Sequence, residues 1–331
     1  AIASAILAAV LYAVNIPLSK ILLQKVAPIW MAAFLYFGAG LGMSAYSLWT
    51  AGRKEESRLT KKELPYVICM IVLDIIAPIC LMIGLTKASS ANASLLNNFE
   101  IVTTSLIALL VFKESISGKM WLAISLITLS SMLLSFEGAA SWRFSYGSLY
   151  ILLACICWGL ENNCTRMLSS KSATQIVVLK GLFSGLGSLI VALLTKEELA
   201  PLSNIAFTMA LGFVSYGLSI FFYVKAQKEL GAAKTSAYYA VAPFVGALLS
   251  FALLREDLSN TYLLALAVMA GGTAIVVFDT LLVKHRHLHT HMIIHTHDGS
   301  THEHIVQHEH SHYHSLNKKG EHSHKHLRAK T

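Results

Sequence analysis

The chain has 331 residues, of which 55% are hydrophobic and only 13% are charged. Soluble globular domains carry about 25% charged residues, so this composition indicates a protein whose solvent is largely lipid. The net charge is +8, but the basic residues lie in short loops and in the C-terminal tail, a distribution that excludes a nucleic-acid-binding stripe.

Ten apolar segments follow one another along the chain, each compatible with the roughly 20 residues that an α-helix needs to cross a bilayer. They cover residues 1–23, 29–50, 65–86, 91–112, 120–136, 147–168, 173–195, 204–226, 235–254 and 261–283, and the fifth is short. The first lacks a basic n-region and a small-residue cleavage site, so we expect a mature helix; because no methionine precedes Ala1, we expect the true N-terminus to lie upstream. The sequence therefore predicts an all-α integral membrane protein with ten transmembrane helices.

The basic residues of the loops predict an orientation. If the N-terminus is cytoplasmic, fourteen Lys and Arg residues fall in the cytoplasmic loops and at the root of the tail, against six on the other side. Cytoplasmic loops carry the excess of Lys and Arg in membrane proteins. We therefore expect a multi-pass protein of the inner or plasma membrane, with the lipid bilayer as a partner and both termini in the cytoplasm.

Three sequence similarities relate the two halves of the chain. Residues 112–117 (FKESIS) are similar to 254–259 (LREDLS), 12–15 (YAVN) to 158–161 (WGLE), and Lys87-Ala88 to Lys225-Ala226. The offsets agree within a few residues, which indicates two copies of a five-helix unit. Five is odd, so the second copy would enter from the opposite side, and such inverted repeats place a substrate site at their interface. The predicted units are residues 1–137, 138–284 and a cytoplasmic tail, 285–331.

These motifs resemble the EamA-like, ten-helix branch of the drug/metabolite transporter superfamily over residues 1–283. The residues that carry the resemblance are Tyr12, Asn15, Lys20, Ala27-Pro28, Lys113-Glu114, Trp158-Gly159, Ala242-Pro243, Leu254-Arg255-Glu256 and Gly271-Gly272. One departure is Leu35-Tyr36, where the family often has an arginine before the aromatic residue. The resemblance implies transport by alternating access without ATP, commonly the export of a small metabolite, amino acid or drug-like solute, with no cofactor required. Because every histidine lies after residue 284, no Ser/His/Asp set is possible in the membrane body, and we expect the protein not to be an enzyme.

Ionisable side chains in the middle of apolar helices are candidates for function, because placing one there costs roughly 2.5–3.5 kcal/mol. The candidate substrate-binding or coupling residues combine such charges with polar and aromatic neighbours: Asn15, Asp74, Asn97, Glu100, Trp158, Glu161, Lys180, Tyr238 and Tyr239. Asn97, Glu100 and Thr104, at spacings of three and four residues, are expected to share one helix face. We expect carboxylate and amide groups from the first half to face aromatic rings from the second, a cavity suited to a cationic or zwitterionic solute.

Several of these residues also have a structural interpretation. Lys180 could pair with Glu161 or Glu100 and hold helices together, and Asp74 is divided evenly between helix packing and the site. Tyr216 and Tyr223 are assigned to packing or to the membrane interface. Glycines 38, 40, 42, 181, 185 and 187 are interpreted as close helix contacts, since no glycine-rich phosphate loop ends in Lys-Ser or Lys-Thr.

All fifteen histidines lie in the tail, largely as His-x-His, so none is available to a catalytic set inside the bundle. The candidate metal ligands are His285, His287, His289, His291, His295, His297, His302, His304, His308, His310, His312, His314, His322, His324 and His326. In an extended chain alternate side chains share one face, and imidazole suits Zn, Ni, Co and Cu ions. Asp298, Glu303, Glu309 and Glu321 are candidate oxygen ligands. The composition predicts a tail that is disordered without metal.

Three functions therefore remain open from the sequence. The first is a secondary transporter of a small solute. The second is a divalent metal (Zn, Ni or Co) exporter, or a metal-regulated transporter, whose tail buffers or senses the ion. The third is a membrane-anchored metal-binding protein, and a pH-sensing tail is a further interpretation of the histidines.

Overall fold

The computed structural model describes residues 1–49, 59–113, 117–135, 145–168, 170–230, 235, 238–256, 259–297 and 300–315. It divides into two compact units, Ala1–Val277 and Phe278–Thr331. The first unit is helical, as its apolar composition predicts, and contains the polar residues discussed below.

The helices follow the predicted spans closely. They are α1 (Ile2–Ala13), α2 (Asn15–Leu22), α3 (Pro28–Trp49), α4 (Leu64–Lys87), α5 (Ser90–Leu96), α6 (Phe99–Phe112), α7 (Gly118–Ser135), α8 (Tyr146–Leu168), α9 (Ala173–Leu179), α10 (Gly185–Thr195), α11 (Leu202–Gly212), α12 (Ser219–Leu230), α13 (Ala242–Leu254) and α14 (Asn260–Leu281). A 3₁₀ turn, Lys61–Glu63, precedes α4, and π-helical segments at Lys180–Ser184 and Phe213–Leu218 join α9 to α10 and α11 to α12.

Eight of the ten predicted spans are long and apolar enough to cross a membrane, counting only described residues. Of the other two, α13 is a shorter apolar helix of 13 residues. The second, α8, has 23 residues but carries a polar run near its C-terminal end. The protein is thus a multi-pass membrane protein, and the count of ten crossings stays a prediction.

Three of the predicted spans are interrupted near the middle. A turn at Val14 separates α1 from α2, a second at Asn97–Asn98 separates α5 from α6, and a third at Ala240–Val241 precedes α13. Proline contributes in two cases, because Pro17 and Pro243 have no N–H to donate to the residue four positions earlier. Interrupted helices at membrane depth are tolerated where they line a cavity, so these turns point to the interior of the bundle.

Glycines bring the two halves of the chain into close contact along α3. A Cβ atom on Gly38 would lie 2.0 Å from the carbonyl oxygen of Met209, and one on Gly181 would lie 2.2 Å from the backbone nitrogen of Gly40. The predicted role of these glycines as close helix contacts is confirmed. Small residues let helix backbones approach in membranes, where packing drives helix association.

The described part of the tail is a pair of strands, and its disorder without metal stays a prediction. Two strands, β1 (Leu282–His297) and β2 (Ser300–Ser315), pair antiparallel over their whole length. The pairing agrees with the alternation of the sequence, which has the two-residue period of a strand. His322, His324 and His326 lie outside the described residues.

Candidate functional site

Three of the candidate residues form a buried ion triad. The Lys180 ammonium group lies 2.9 Å from Oε1 of Glu161 and 3.1 Å from Oδ2 of Asp74. All three side chains are almost completely enclosed, with exposures of 5% for Lys180, 3% for Glu161 and 0% for Asp74. One cation between two carboxylates leaves the triad with one net negative charge when all three groups are ionised.

The local backbone places the central cation of the triad. Lys180 is the first residue of the π-helical segment between α9 and α10, so its position departs from the regular 3.6-residue repeat of those helices. Single π turns inside α-helices occur often at functional sites because they redirect a side chain. On α8, the hydroxyl of Thr165 donates to Glu161 one turn earlier, which fixes that carboxylate towards Lys180.

Asp74, the second carboxylate of the triad, accepts a hydrogen bond from a tyrosine, whereas Glu161 accepts one from a threonine. Tyr36 on α3 donates its hydroxyl proton to Oδ1 of Asp74 across 2.8 Å. Asp74 therefore faces one ammonium group and one hydroxyl, which stabilises its buried charge through charge-assisted hydrogen bonding. The donors that face Asp74 are thus the Tyr36 hydroxyl and the Lys180 ammonium group.

Glu100 stands apart from the triad. It lies in the first turn of α6, just after the Asn97–Asn98 turn, and is half-buried. Its Oε1 accepts a hydrogen bond from the side-chain amide of Asn162 on α8. The turn changes the expected geometry, because Asn97 and Glu100 no longer belong to one continuous helix.

Five tyrosines form a continuous aromatic wall across the interior. Ring centroids are 5.0 Å apart for Tyr36 and Tyr216, 6.0 Å for Tyr216 and Tyr12, 5.8 Å for Tyr12 and Tyr239, and 5.0 Å for Tyr239 and Tyr223. Such spacings are favourable for aromatic pairs. The first half of the chain contributes two of these rings and the second half three.

The wall and the acidic residues enclose a cavity with about 590 Å³ of empty space, including its open part. The lining residues are Tyr12, Tyr36, Glu100, Trp158, Glu161, Asn162, Thr165, Lys180, Tyr216, Ile220, Tyr223 and Tyr239. The part of this space that can hold whole water molecules is about 80 Å³, which is smaller than the roughly 300–1,000 Å³ of typical small-molecule sites. Both halves contribute carboxylates and aromatic rings, so the expected division between an acidic half and an aromatic half is wrong.

The other predicted residues have supporting or peripheral positions. Asn15 is fully buried and donates to the Tyr216 hydroxyl across 3.2 Å, and Asn97 donates to that of Tyr12 across 3.4 Å. Asp74 is not itself a lining residue, but its partners Lys180 and Tyr36 both line the cavity. Tyr238 is half-buried and is not a lining residue.

Sequence analysis did not select several residues that line the cavity. Tyr12 and Tyr36 enter the sequence argument only as family landmarks. Tyr216 and Tyr223, interpreted there as packing or interface residues, do pack against neighbouring tyrosines, and both also line the cavity. The available signal was the presence of a tyrosine within one or two helical turns of a buried charge or an interruption, as with Tyr12 beside Val14. Thr165 had a comparable signal, since it follows Glu161 by four residues.

Contacts between the two halves close one end of the bundle, which we call the α2 end because α2 ends and α3 begins there. Glu197 accepts hydrogen bonds from the backbone N–H groups of Ile29 and Trp30, 3.0 and 3.3 Å away. Glu256 accepts from the first two residues of α5, across 2.6 and 2.7 Å. Each carboxylate of the second half thus satisfies donors at the start of a helix in the first half, where negative charge is favoured.

Metal ligands are not clustered in the part of the bundle that the structure describes. No group of three or more His, Cys, Asp or Glu residues there is arranged to hold a metal ion. The nearest approach is the ion triad, in which a lysine occupies the space between the carboxylates.

Comparison with known proteins gives consistent results. The chain matches the model of the EamA-like transporter family twice, over residues 1–136 and 145–278. It is 26% identical over 295 residues to an uncharacterized transporter of Methanothermobacter thermautotrophicus, covering 83% of this chain and 85% of that protein. It is 26% identical over 244 residues to the uncharacterized transporter YyaM of Bacillus subtilis strain 168, covering 71% and 80%. A solved crystal structure shares the fold with a TM-score of 0.63 at 17% identity, covering 84% of this chain and 97% of its own.

Proposed function

Because the chain belongs to the EamA-like transporter family, we propose that it is a secondary transporter that moves a small solute through the cavity between its two halves. The observation that carries the proposal is a cavity lined by ionisable groups from both halves inside an apolar bundle. Such groups are costly at membrane depth and are retained there for substrates or coupling ions. Members of this family are transporters, and in this proposal the cavity is the place where the solute binds.

Alternating access between inverted repeats, residues 1–137 and 138–284, is the transport mechanism in this proposal. The two family matches, over residues 1–136 and 145–278, support these repeat boundaries. The carboxylate contacts of Glu197 and Glu256 join the halves at the α2 end, and the lining of the cavity extends to Thr165 and Tyr223, nearer the opposite end. We infer a state closed at the α2 end. With both termini cytoplasmic, this state would receive a solute from the cytoplasm, as export requires.

The solute is a small organic cation or a zwitterion with an exposed ammonium group. Glu161 already faces the ammonium group of Lys180, whereas Glu100 contacts the neutral amide of Asn162. Glu100 is therefore the carboxylate suited to receive a substrate cation or a coupling proton. Tyr12 and Tyr239 line the same cavity, and their rings would add cation–π attraction.

The metal-exporter alternative has weaker support. The described residues of the bundle hold no cluster of metal ligands, so its support is limited to the histidines of the tail. The same histidines support the third candidate, a membrane-anchored metal-binding protein, which differs from both by moving no solute.

The test is flux in proteoliposomes, with a pH gradient and a panel of organic cations, amino acids and Zn²⁺. Glu100→Gln and Glu161→Gln are compared with Glu198→Gln, which changes an exposed carboxylate outside the cavity. We expect wild type and Glu198→Gln to transport an amine-containing solute, and the two cavity variants to lose concentrative flux while remaining folded.

Three results would contradict the proposal, each in a different way. Unchanged flux in both cavity variants would refute the assigned site and leave the transporter intact. Flux of Zn²⁺ without any organic solute would favour the metal exporter, and the absence of flux across the whole panel would favour the membrane-anchored binding protein.

A further inference from the structure

The two paired strands of the tail, β1 and β2, have their histidines on one face. The histidines of β1 are all at odd residue numbers, and those of β2 are all at even residue numbers. The antiparallel register pairs odd positions of β1 with even positions of β2, for example His285 with His312. Directly paired residues lie on the same face and alternate residues along a strand do so too. All twelve histidines within the two strands therefore belong to one face.

Three histidine pairs follow one another without a gap. The register pairs His285 with His312, His287 with His310, and His289 with His308. These six residues are the histidine ladder. Directly opposite Cβ atoms are about 4.5–5.5 Å apart, and successive residues on one face of a strand about 7 Å apart. The ladder is thus a two-by-three array of histidine positions on one face of the paired strands.

We propose that the histidine ladder binds a borderline divalent transition-metal ion such as Zn²⁺, with ligands supplied by both strands. Neutral imidazole binds zinc at about 2.0–2.1 Å, and structural zinc sites are usually four-coordinate. Two consecutive cross-strand pairs provide four imidazoles, which matches that coordination number. The inference concerns the tail alone and is independent of the transport proposal.

The register also changes the expected ligand set. Glu303 and Glu309 occupy odd positions of β2, so they lie on the face opposite the histidines. Of the acidic residues named as oxygen ligands, these two are thereby excluded from the ladder, and Asp298 and Glu321 lie outside the described residues. A ladder of imidazoles without carboxylates favours Zn²⁺, Ni²⁺, Co²⁺ or Cu²⁺ over Mg²⁺ and Ca²⁺, which prefer oxygen ligands.

The test uses the full-length protein in detergent micelles, stripped of metal and titrated with Zn²⁺ in competition with a chromophoric chelator. One variant, His285→Gln with His287→Gln, removes ladder ligands from β1. A second, His310→Gln with His312→Gln, removes their partners from β2, and a third combines all four substitutions. The matched control, His295→Gln with His302→Gln, removes the cross-strand pair outside the ladder.

If histidines of both strands bind the same ion, removing those of either strand should weaken its binding. Each ladder double variant should weaken the tightest zinc binding at least about tenfold, and the quadruple variant should lose the same single ion as either double. The control should leave the tightest binding unchanged. Independent losses that add in the quadruple variant, loss on only one strand, an equal effect of the control, or Mg²⁺ competing as well as Ni²⁺ would each overturn the proposal. So would the absence of zinc binding by wild type.

Discussion

Replacing Lys180 by methionine removes the positive charge of the ion triad while keeping a side chain of similar length. In the native protein the ammonium group lies within 3.1 Å of Asp74 and 2.9 Å of Glu161, and all three side chains are at most 5% exposed. Removing one member of a buried ion pair costs about 3–5 kcal/mol, because the remaining charge is left uncompensated. Here two carboxylates are left, so we expect a loss in the free energy of unfolding at the upper end of that range.

A second substitution separates charge from packing. Lys180→Met combined with Asp74→Asn leaves only the carboxylate of Glu161, which keeps its hydrogen bond from Thr165. The double variant should therefore be more stable than Lys180→Met alone, although it carries one substitution more. Lys180→Arg retains the charge and serves as the control for the size of the side chain.

The measurement is the free energy of unfolding in mixed micelles, together with flux per folded molecule in proteoliposomes. Equal stability of Lys180→Met and wild type would refute the assignment of the triad as a buried charge cluster. A double variant no more stable than the single one would show that lost packing, and not uncompensated charge, is the cause. Loss of flux in Lys180→Arg with full stability would assign Lys180 to transport in addition to helix contact.

Two further predictions concern contacts between the halves. Gly38→Ala should lower the free energy of unfolding by about 1–3 kcal/mol, because the new Cβ would lie 2.0 Å from a backbone oxygen. The control is Gly271→Ala, whose Cβ would meet nothing within 4 Å and which should be neutral or slightly stabilising. Equal effects of the two substitutions would contradict the close-contact interpretation. Glu256→Ala removes the acceptor of two backbone N–H groups of α5 and should therefore open the α2 end. The reporter is a cysteine introduced at Ser94, which is fully buried in the native protein. Its labelling rate, corrected for the labelling of the native cysteines, should rise at least about tenfold. An unchanged labelling rate would remove Glu256 from the contacts that close that end.

The helical segments could be predicted because lipid imposes a simple one-dimensional rule. A span must be apolar over about 20 residues, so the ends of α4 and α14 follow directly from composition. The interruptions were not predicted, since hydropathy averages over a whole span and does not register one turn such as that at Asn97. The composition of the tail predicts disorder without metal, which stays a prediction, while the alternation of its residues permits the pairing of β1 with β2.

The sequence by itself determined that Asp74, Glu161 and Lys180 are buried charges, because each interrupts an apolar helix. Only the tertiary structure decided that Lys180 lies between both carboxylates and that Glu100 is left to Asn162. The tyrosine wall is likewise tertiary, since Tyr216 and Tyr223 share the continuous helix Leu202–Leu230 while the other three rings come from distant parts of the chain. The physical reason is that burial depends on neighbours in the sequence, whereas the choice of partner depends on distances between helices far apart in the chain.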